Sequence, residues 1–139
     1  MNSNTVHSSQ KFQKQAVLLV EDSDSLRALM SFILGKTYRV FPARNGLEAM
    51  AWLQNGLLPD VIVTDVQMPE LDGAALIANL RCSGIYKHIP VVVVSGSCVP
   101  AELDQIRLLG AQDVLPKPFK PAELHGSIAR LMQPFAAAA

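Results

Sequence analysis

Five short apolar runs recur along the chain, and segments with a different periodicity separate them. The runs are AVLLV (residues 16–20), YRVFPA (38–43), VIVT (61–64), VVVVS (91–95) and DVLP (113–116). Continuous apolar runs of this length, rich in β-branched residues, predict buried strands. Pro42 cannot donate a hydrogen bond to a neighbouring strand, which places the second run at the end or the edge of a sheet.

Apolar residues in the intervening segments lie three and four positions apart, which is the spacing of an α-helix. The five predicted helices carry Leu26, Leu29, Met30, Ile33 and Leu34; Leu47, Met50 and Ala51, beginning near Gly46; Ala74, Ile77 and Leu80; Leu103, Ile106 and Leu109; and Leu124, Ile128, Leu131 and Met132. Ser23 or Asp24 is suited to cap the first helix. Gly35 and Gly110 indicate helix ends, and Pro121 suits the first turn of the last helix.

Strands that alternate with helices predict an α/β fold. Because the strands are apolar on both faces, they indicate a parallel sheet covered on both sides. Right-handed crossovers then give a doubly wound five-stranded parallel sheet, (βα)5, in a three-layer sandwich. We expect residues 16–133 to form this domain, residues 1–15 to form a flexible N-terminal tail, and residues 134–139 to form a short C-terminal tail.

Composition narrows the possible partners. The 12 Lys and Arg residues balance the 12 Asp and Glu residues, which argues against a broad surface for nucleic acid or anionic lipid. The N-terminus lacks a signal peptide's apolar stretch, and no run is long enough to span a bilayer. We therefore expect a cytoplasmic protein without direct nucleic-acid or membrane contacts. Two cysteines, Cys82 and Cys98, are expected to be reduced thiols, and His7, His88 and His125 are expected at the surface.

Polar residues follow four of the five predicted strands. Glu21 and Asp22 follow the first strand, Asp65 lies at the end of the third, Ser95 lies at the end of the fourth, and Lys117 follows the fifth. The carboxyl ends of parallel strands share one sheet edge, where sites occur in such folds. The second strand contributes no comparable acid, as expected if it lies at the edge of the sheet. Each residue alone has an ordinary explanation as a cap, turn or surface residue, so the prediction depends on their convergence.

Three neighbouring carboxylates repel one another, and a hard divalent cation such as Mg²⁺ relieves that repulsion. A lysine and a hydroxyl beside the metal suit the oxygens of a phosphoryl group. Carboxylates serve as nucleophiles in phosphoryl transfer, and Asp65 is centrally placed. Pro69 and Gly73, just behind it, indicate a turn. The sequence therefore predicts a Mg²⁺-dependent phosphoryl site with Asp65 as acceptor.

Four segments in this order resemble the receiver domain of two-component response regulators. They are LLVEDSDSLR, VIVTDVQMPELDG, VVVVSGS and LPKPF, and the resemblance covers residues 16–132. It implies a flavodoxin-like fold and a His–Asp phosphorelay function, without an enzyme's turnover of external substrates. The implied partners are a sensor histidine kinase or histidine phosphotransfer protein and a downstream effector protein, with a phosphorylation-dependent homodimer as a further possibility.

The resemblance also implies a role for each matching residue. Asp65 accepts the phosphoryl group. Asp22, Asp65 and the backbone carbonyl of Gln67 ligate Mg²⁺, and Glu21 holds a metal-bound water. Ser95 and Lys117 contact the phosphoryl group, the bond before Pro118 is cis, and the movement of Ser95 switches a surface of the fourth helix, fifth strand and fifth helix.

The chain departs from the family's commoner pattern at several positions. Val114 stands where the family usually has a switch Tyr or Phe, which puts an aromatic readout in doubt. Gly96 stands where Ala is frequent, and Gln67 and Ser97 occupy the two positions that flank the pocket. On the last helix, Glu123, His125 and Arg130 are interpreted as an ordinary solvated face or as part of a partner surface.

Three other functions compete with this interpretation. A Mg²⁺-dependent aspartyl-phosphate phosphatase of the haloacid dehalogenase type needs a general acid two residues after the nucleophile, where this chain has Gln67. A receiver-fold binding module without phosphorylation would be expected to lose Asp22, Asp65 or Lys117. A flavodoxin-like nucleotide binder would need a Gly-rich loop after the first strand, where this chain has acids.

Overall fold

The strands and helices alternate in the predicted order. The computed structural model describes residues 14–68, 70–97 and 99–132. The strands are β1 (Ala16–Val20), β2 (Arg39–Ala43), β3 (Val61–Asp65), β4 (Val91–Ser95) and β5 (Asp113–Pro116). The helices are α1 (Asp24–Gly35), α2 (Gly46–Gln54), α3 (Gly73–Cys82), α4 (Pro100–Leu109) and α5 (Pro121–Leu131).

The five strands form one parallel sheet in the order β2-β1-β3-β4-β5. Strands β1, β3 and β4 are buried along their whole length, and one apolar cluster packs on each face of the sheet. This confirms the flavodoxin-like doubly wound fold. It also confirms that β2 lies at an edge, outside the set of strands that carry the predicted site residues.

The register of the central strands brings their carboxyl ends together. Val20 pairs with Thr64, so Glu21 leaves β1 beside Asp65 at the end of β3. On the other side, Ser95 pairs with Pro116. Lys117 directly follows Pro116, so it lies next to the end of β4 at the same edge of the sheet.

Side-chain caps fix where several helices begin. The hydroxyl of Ser23 accepts a hydrogen bond from the amide of Leu26 at 3.3 Å and caps α1. Asn45 and Asp72 cap α2 and α3 in the same way. A Ser, Asn or Asp in this position satisfies an amide that has no partner inside the helix. Gly110 ends α4 in the left-handed conformation, with φ at 118°, as its position in the sequence predicted.

The structure corrects several predicted faces and bounds. Leu47 and Ala51 are exposed, and α2 instead buries Gly46, Ala49 and Leu53. Other residues of the predicted stripes are also exposed, namely Leu29 on α1 and Leu109 on α4. Strand β2 begins at Arg39 and not at Tyr38, and β3 continues to Asp65. Met132 is the C-cap of α5 and not a residue within it.

The predicted solvated face of α5 is partly occupied by contacts within the chain. His125 is half-buried, and its ring stacks on Tyr38 with a centroid distance of 6.2 Å. Arg130 is exposed and forms an ion pair with Asp113 of β5 at 2.6 Å. Ser127, which is buried, donates a hydrogen bond to the same carboxylate. Asp113 therefore ties the outer strand β5 to α5.

Among the other predicted surface residues, His88 is exposed and Cys82 is an exposed free thiol. His7, Pro69 and Cys98 lie outside the described residues. No helix within the described ranges is long and apolar enough to cross a membrane. Gln15 accepts a backbone hydrogen bond from Arg39, and the carbonyl of Lys14 accepts one from the Arg39 guanidinium.

Each edge strand of the sheet contains a proline. Pro42 lies in β2 and Pro116 closes β5. The carbonyl of Pro42 accepts a hydrogen bond from the indole nitrogen of Trp52 at 2.9 Å. That indole packs edge-on against the ring of Phe41. The outer side of β2 is thus covered by a side chain of α2.

Arg81, at the end of α3, joins two loops at the amino end of the sheet. Its guanidinium donates hydrogen bonds to the carbonyls of Gly110, Lys87 and Ile89 at 2.7–3.1 Å. A further bond reaches the side-chain oxygen of Gln112. Burial lowers the pKa of Arg81, because desolvation disfavours the charged form.

We expect Arg81→Ala to lower the free energy of unfolding by about 2 kcal/mol, because it leaves several partly buried carbonyls without a donor. Urea denaturation of the two proteins measures the difference. Arg107→Ala on exposed α4 is the control, since that side chain makes one solvent-exposed ion pair at 3.6 Å. The control should change stability by less than about 0.5 kcal/mol. Equal losses in both variants would contradict a joining role for Arg81.

Candidate functional site

Three carboxylates meet at the carboxyl edge of the sheet. Glu21, Asp22 and Asp65 each offer an oxygen, and these oxygens all lie within 4.8 Å of one another. Glu21 is 2% exposed and Asp65 is 9% exposed, whereas Asp22 is open to solvent. The cluster is therefore anchored in the protein on one side and reachable from water on the other.

Asp65 is fixed by hydrogen bonds to both of its carboxylate oxygens. One oxygen accepts from the amide of Val66 at 2.7 Å, and the other accepts from the ammonium of Lys117 at 3.0 Å. Asp65 is the last residue of a central strand, where its backbone pairs with Val94 of β4 and the preceding residue, Thr64, pairs with Val20 of β1. The side chain is thus presented in a defined orientation at the sheet edge.

Lys117 lies between two of the carboxylates. Its ammonium is 3.0 Å from Asp65 and 3.4 Å from Glu21. Its backbone amide donates a hydrogen bond to the carbonyl of Ser95 at 2.7 Å, and the peptide bond to Pro118 is cis. The end of β4 therefore positions the lysine that reaches across to β1 and β3.

Burial and neighbouring charges move the pKa values of Glu21 and Lys117 above their ordinary values. The pKa of Glu21 lies above its ordinary value, mainly because the carboxyl group is buried, and the neighbouring Asp65 and Asp22 raise it further. The amide of Ser23 and the ammonium of Lys117 lower this pKa, but by less. Burial lowers the pKa of Lys117, but Asp65 and Glu21 raise it by more. Lys117 is therefore a cation at neutral pH, and the carboxylates are under mutual repulsion.

Ser95 and the loop after it form a hydrogen-bonded series that reaches α4. Ser95 is buried, and its hydroxyl accepts from the amide of Ser97 at 3.1 Å. The hydroxyl of Ser97 accepts from the amide of Val99 at 3.2 Å and donates to the carboxylate of Glu102. The side chain at the end of β4 is thus connected to the first turn of α4.

A cavity of about 640 Å³ opens beside Asp65. It is lined by Asp65, Val66, Gln67, Ala74, Ser95, Gly96, Ser97, Glu102, Gln105, Ile106, Leu109 and Lys117. The structure thus brings Gln67, Gly96 and Ser97 to the cavity beside Asp65, Ser95 and Lys117. Val114 does not line it and packs instead in the core on one face of the sheet. Glu102 and Gln105, which sequence reasoning missed, carry no signal beyond their places on α4.

Gly73 lies against the backbone of Asp65. A Cβ atom at this position would lie 2.2 Å from the carbonyl oxygen of Asp65 and 2.9 Å from the Cα of Val66. The amide of Gly73 donates a hydrogen bond to the carbonyl of Val66 at 2.8 Å. The predicted turn residue is therefore the first residue of α3, and its missing side chain lets the helix approach the acceptor position.

The donor atoms at this edge fit a divalent oxygen-seeking cation. The three carboxylates face one ammonium, which leaves an excess of negative charge. Mg²⁺ prefers oxygen ligands from one or two carboxylates together with water, and the exposed side of Asp22 admits water. Lys117 and Ser95 add a cation and a hydroxyl beside Asp65. The arrangement is suited to binding a phosphoryl group next to a metal ion.

Comparison with known proteins gives a consistent result. A family model described as "Response regulator receiver domain" matches residues 17–129. The two-component response regulator ORR7 of Oryza sativa subsp. japonica is 34% identical over 118 residues, which are 84% of this chain and 56% of ORR7. The chain thus spans about half the length of this curated relative, and it spans 12% of a similar sensor histidine kinase.

Two solved structures are similar over most of their length. The chemotaxis response regulator CheY4 of Vibrio cholerae matches with a TM-score of 0.80 and 32% identity, over 86% of this chain and 99% of that chain. The receiver domain of the sensor histidine kinase PA1611 from Pseudomonas aeruginosa PAO1 matches with a TM-score of 0.78 and 27% identity, over 86% of this chain and 98% of that chain. That structure has a magnesium ion coordinated in its active-site cleft.

Proposed function

Because the chain belongs to the family of response regulator receiver domains, which are signalling domains, we propose that it is a Mg²⁺-dependent phosphorylation switch with Asp65 as acceptor. The supporting observation is the convergence of Asp65, Glu21, Asp22 and Lys117 at one sheet edge. The phosphoryl donor is a phosphohistidine on a histidine kinase or histidine phosphotransfer protein. The domain would comprise residues 16–133 of a cytoplasmic protein, and most of the tails predicted for residues 1–15 and 134–139 lies outside the described residues.

Asp22, Asp65 and the backbone carbonyl of Gln67 would hold the metal ion, and Glu21 would hold a water bound to it. The ion would neutralise charge on the phosphoryl oxygens. A carboxylate oxygen of Asp65 attacks phosphorus while the bond from phosphorus to the donor nitrogen breaks. Lys117, which is paired with Asp65 before transfer, then pairs with a phosphoryl oxygen. The ammonium of Lys117 would thus form an ion pair first with the Asp65 carboxylate and then with the phosphoryl group on it.

Ser95 couples the phosphoryl group to the partner surface. Its hydroxyl accepts a hydrogen bond from Ser97 in this structure. The hydroxyl can also donate its proton to a phosphoryl oxygen, and a movement of Ser95 toward that oxygen would pull on the amide of Ser97, which is in turn bonded to Glu102 of α4. Val114 has no ring to move, so this loop carries the change to the surface of α4, β5 and α5. An effector protein, or a second phosphorylated copy, reads that surface.

Intact-mass spectrometry after incubation with acetyl phosphate tests the acceptor. We expect one phosphoryl adduct in the presence of Mg²⁺, and none when the metal is removed with a chelator. Asp65→Asn should abolish the adduct because an amide is not a nucleophile for phosphorus. Asp104→Asn, at an exposed acid of α4, is the matched control and should be phosphorylated like the native chain.

Two results would count against the proposal. An adduct that persists in Asp65→Asn would place the acceptor elsewhere. Absence of any adduct in the folded native chain, both with acetyl phosphate and with a phosphorylated histidine phosphotransfer protein, would indicate a binding module that does not use phosphorylation.

A further inference from the structure

The cavity beside Asp65 continues well past the space that a phosphoryl group needs. Its lining along α4 extends from Glu102 to Leu109. These residues are about two helical turns apart, which corresponds to about 10 Å at the rise of an α-helix. Cavities of about 300–1,000 Å³ hold ligands much larger than acetyl phosphate, and this one measures about 640 Å³.

The lining of the cavity combines charged and polar side chains with apolar ones. The end at the sheet edge presents the side chains of Asp65, Ser95 and Lys117. Along α4 the lining adds the apolar side chains of Ile106 and Leu109 beside the polar Gln105, and α3 adds the apolar Ala74. A ligand that matches this surface has an anionic phosphoryl head and an uncharged apolar body.

We propose that the chain accepts phosphoryl groups from acyl phosphates with medium-length, neutral aliphatic chains in preference to acetyl phosphate. The inference rests on the proposed acceptor function of Asp65. In an in-line displacement the leaving group lies opposite the attacking oxygen. The leaving acyl group would therefore point away from Asp65, and we expect it to lie along the apolar side chains of α4.

The step is balanced without a further reactant. A carboxylate oxygen of Asp65 forms a bond to phosphorus, and the bond from phosphorus to the acyl oxygen breaks. The electron pair of that bond leaves with the carboxylate of the fatty acid, so no proton has to be supplied. Linear aliphatic acids have nearly equal acidity, so acetyl, butyryl and hexanoyl phosphates differ mainly in the apolar surface that they can bury.

Glu102 restricts the proposal to neutral chains. Its carboxylate lines the cavity and is exposed, and the hydroxyl of Ser97 donates a hydrogen bond to it. A negatively charged tail on the acyl group would lie near this carboxylate and be repelled. We therefore expect succinyl phosphate, which carries such a tail, to react more slowly than butyryl phosphate.

The test measures second-order rate constants for adduct formation with acetyl, butyryl, hexanoyl and succinyl phosphates. Each buried methylene group should increase the rate constant about fourfold. Partial burial of the two extra methylenes of butyryl phosphate should give a butyryl-to-acetyl ratio of about ten. The ratio of two rate constants is the readout because a change in the folded fraction or in the phosphoryl-transfer step affects both rate constants equally and divides out.

Ala74→Leu narrows the apolar part of the cavity and should bring the butyryl-to-acetyl ratio close to one. Ala78→Leu places the same side chain at an exposed position of the same helix and should keep the native ratio. Leu109→Gln, at a partly exposed site that tolerates a polar residue, is a second variant should Ala74→Leu not fold. It should lower the hexanoyl-to-butyryl ratio.

A butyryl-to-acetyl ratio near one in the native chain would overturn the inference and leave the acceptor function of Asp65 intact. A high butyryl-to-acetyl ratio that Ala74→Leu leaves unchanged, together with a hexanoyl-to-butyryl ratio that Leu109→Gln leaves unchanged, would also overturn it, because the preference would then arise elsewhere. No adduct with any of the four donors would overturn this inference, and an adduct formed with a phosphorylated histidine phosphotransfer protein would then show that the acceptor function of Asp65 stands without it.

Discussion

Lys117→Gln is expected to lower the free energy of unfolding by about 3 kcal/mol in magnesium-free solution and to slow phosphorylation by about 100-fold. The ammonium is the cation that contacts both Glu21 and Asp65, which are 2% and 9% exposed. Removing one partner of a buried ion pair leaves a desolvated charge without compensation. In phosphoryl transfer, the same substitution removes a cation from the developing charge.

Denaturation in urea with and without Mg²⁺ separates these two effects. A divalent ion bound by the carboxylates supplies positive charge in place of the ammonium, so saturating Mg²⁺ should recover most of the lost stability while phosphorylation stays slow. Lys87→Gln, at an exposed lysine, is the control and should behave like the native chain in both measurements. Full stability of Lys117→Gln without metal would show that the acids do not depend on this lysine.

Gly73→Ala is expected to reduce stability by about 3 kcal/mol and to abolish phosphorylation under conditions that fully modify the native chain. The added Cβ would lie 2.2 Å from the carbonyl oxygen of Asp65, and backbone atoms cannot turn aside as a flexible side chain can. Either α3 moves outward or the end of β3 shifts. Both movements displace the acceptor carboxylate relative to Lys117, and small displacements of a reacting group are costly.

Gly126→Ala provides the matched control for a change of the same size. Gly126 lies in α5, is exposed, and has no atom within 4 Å of an added Cβ. Alanine has a higher helix propensity than glycine, so this variant should gain about 0.5–1 kcal/mol and keep normal phosphorylation. Urea denaturation and intact-mass spectrometry on both variants provide the comparison. Normal phosphorylation of Gly73→Ala would show that the contact with Asp65 does not matter.

The order of elements and the edge at which the site lies could be predicted from the sequence because both follow from simple periodicities. Val91–Ser95 and Asp113–Pro116 were predicted with the bounds that the structure has. Once five strands alternate with helices, the carboxyl ends of neighbouring parallel strands must share an edge. The convergence of Asp65 and Lys117 was therefore predictable although they are far apart in the chain.

The buried face of α2 could not be read from the sequence, because the helix is apolar on nearly every side. Its sequence GLEAMAWLQ contains several overlapping stripes at helical spacing. The stripe through Leu47 and Ala51 was an equal choice, but the helix buries the one through Gly46, Ala49 and Leu53. A Cβ on Gly46 would lie 2.2 Å from the carbonyl oxygen of Leu71. That close contact between segments distant in sequence decides the orientation.

Arg81, Gly73 and Glu102 illustrate a second limit of sequence reasoning. Arg81 is an ordinary residue for a last helical turn, Gly73 is an ordinary turn residue, and Glu102 is an ordinary acid for a first helical turn. Their roles arise from groups brought near by the fold, namely the carbonyl of Gly110, the backbone of Asp65 and the hydroxyl of Ser97. No local pattern carries that information.

The prolines of β2 and β5 have a consequence for how this chain can associate. An exposed strand edge can recruit a strand from another molecule, which leads to open-ended polymerisation. Pro42 has no amide proton to donate, and its carbonyl already accepts a hydrogen bond from Trp52, so the edge of β2 lacks part of the hydrogen-bond ladder that a recruited strand needs. Pro116 likewise lacks an amide proton at the end of the opposite edge strand, β5. Growth of the sheet is thus discouraged on both sides. In the proposed relay, the chain would then form its complexes with a lower tendency to add strands from a second copy at these two edges.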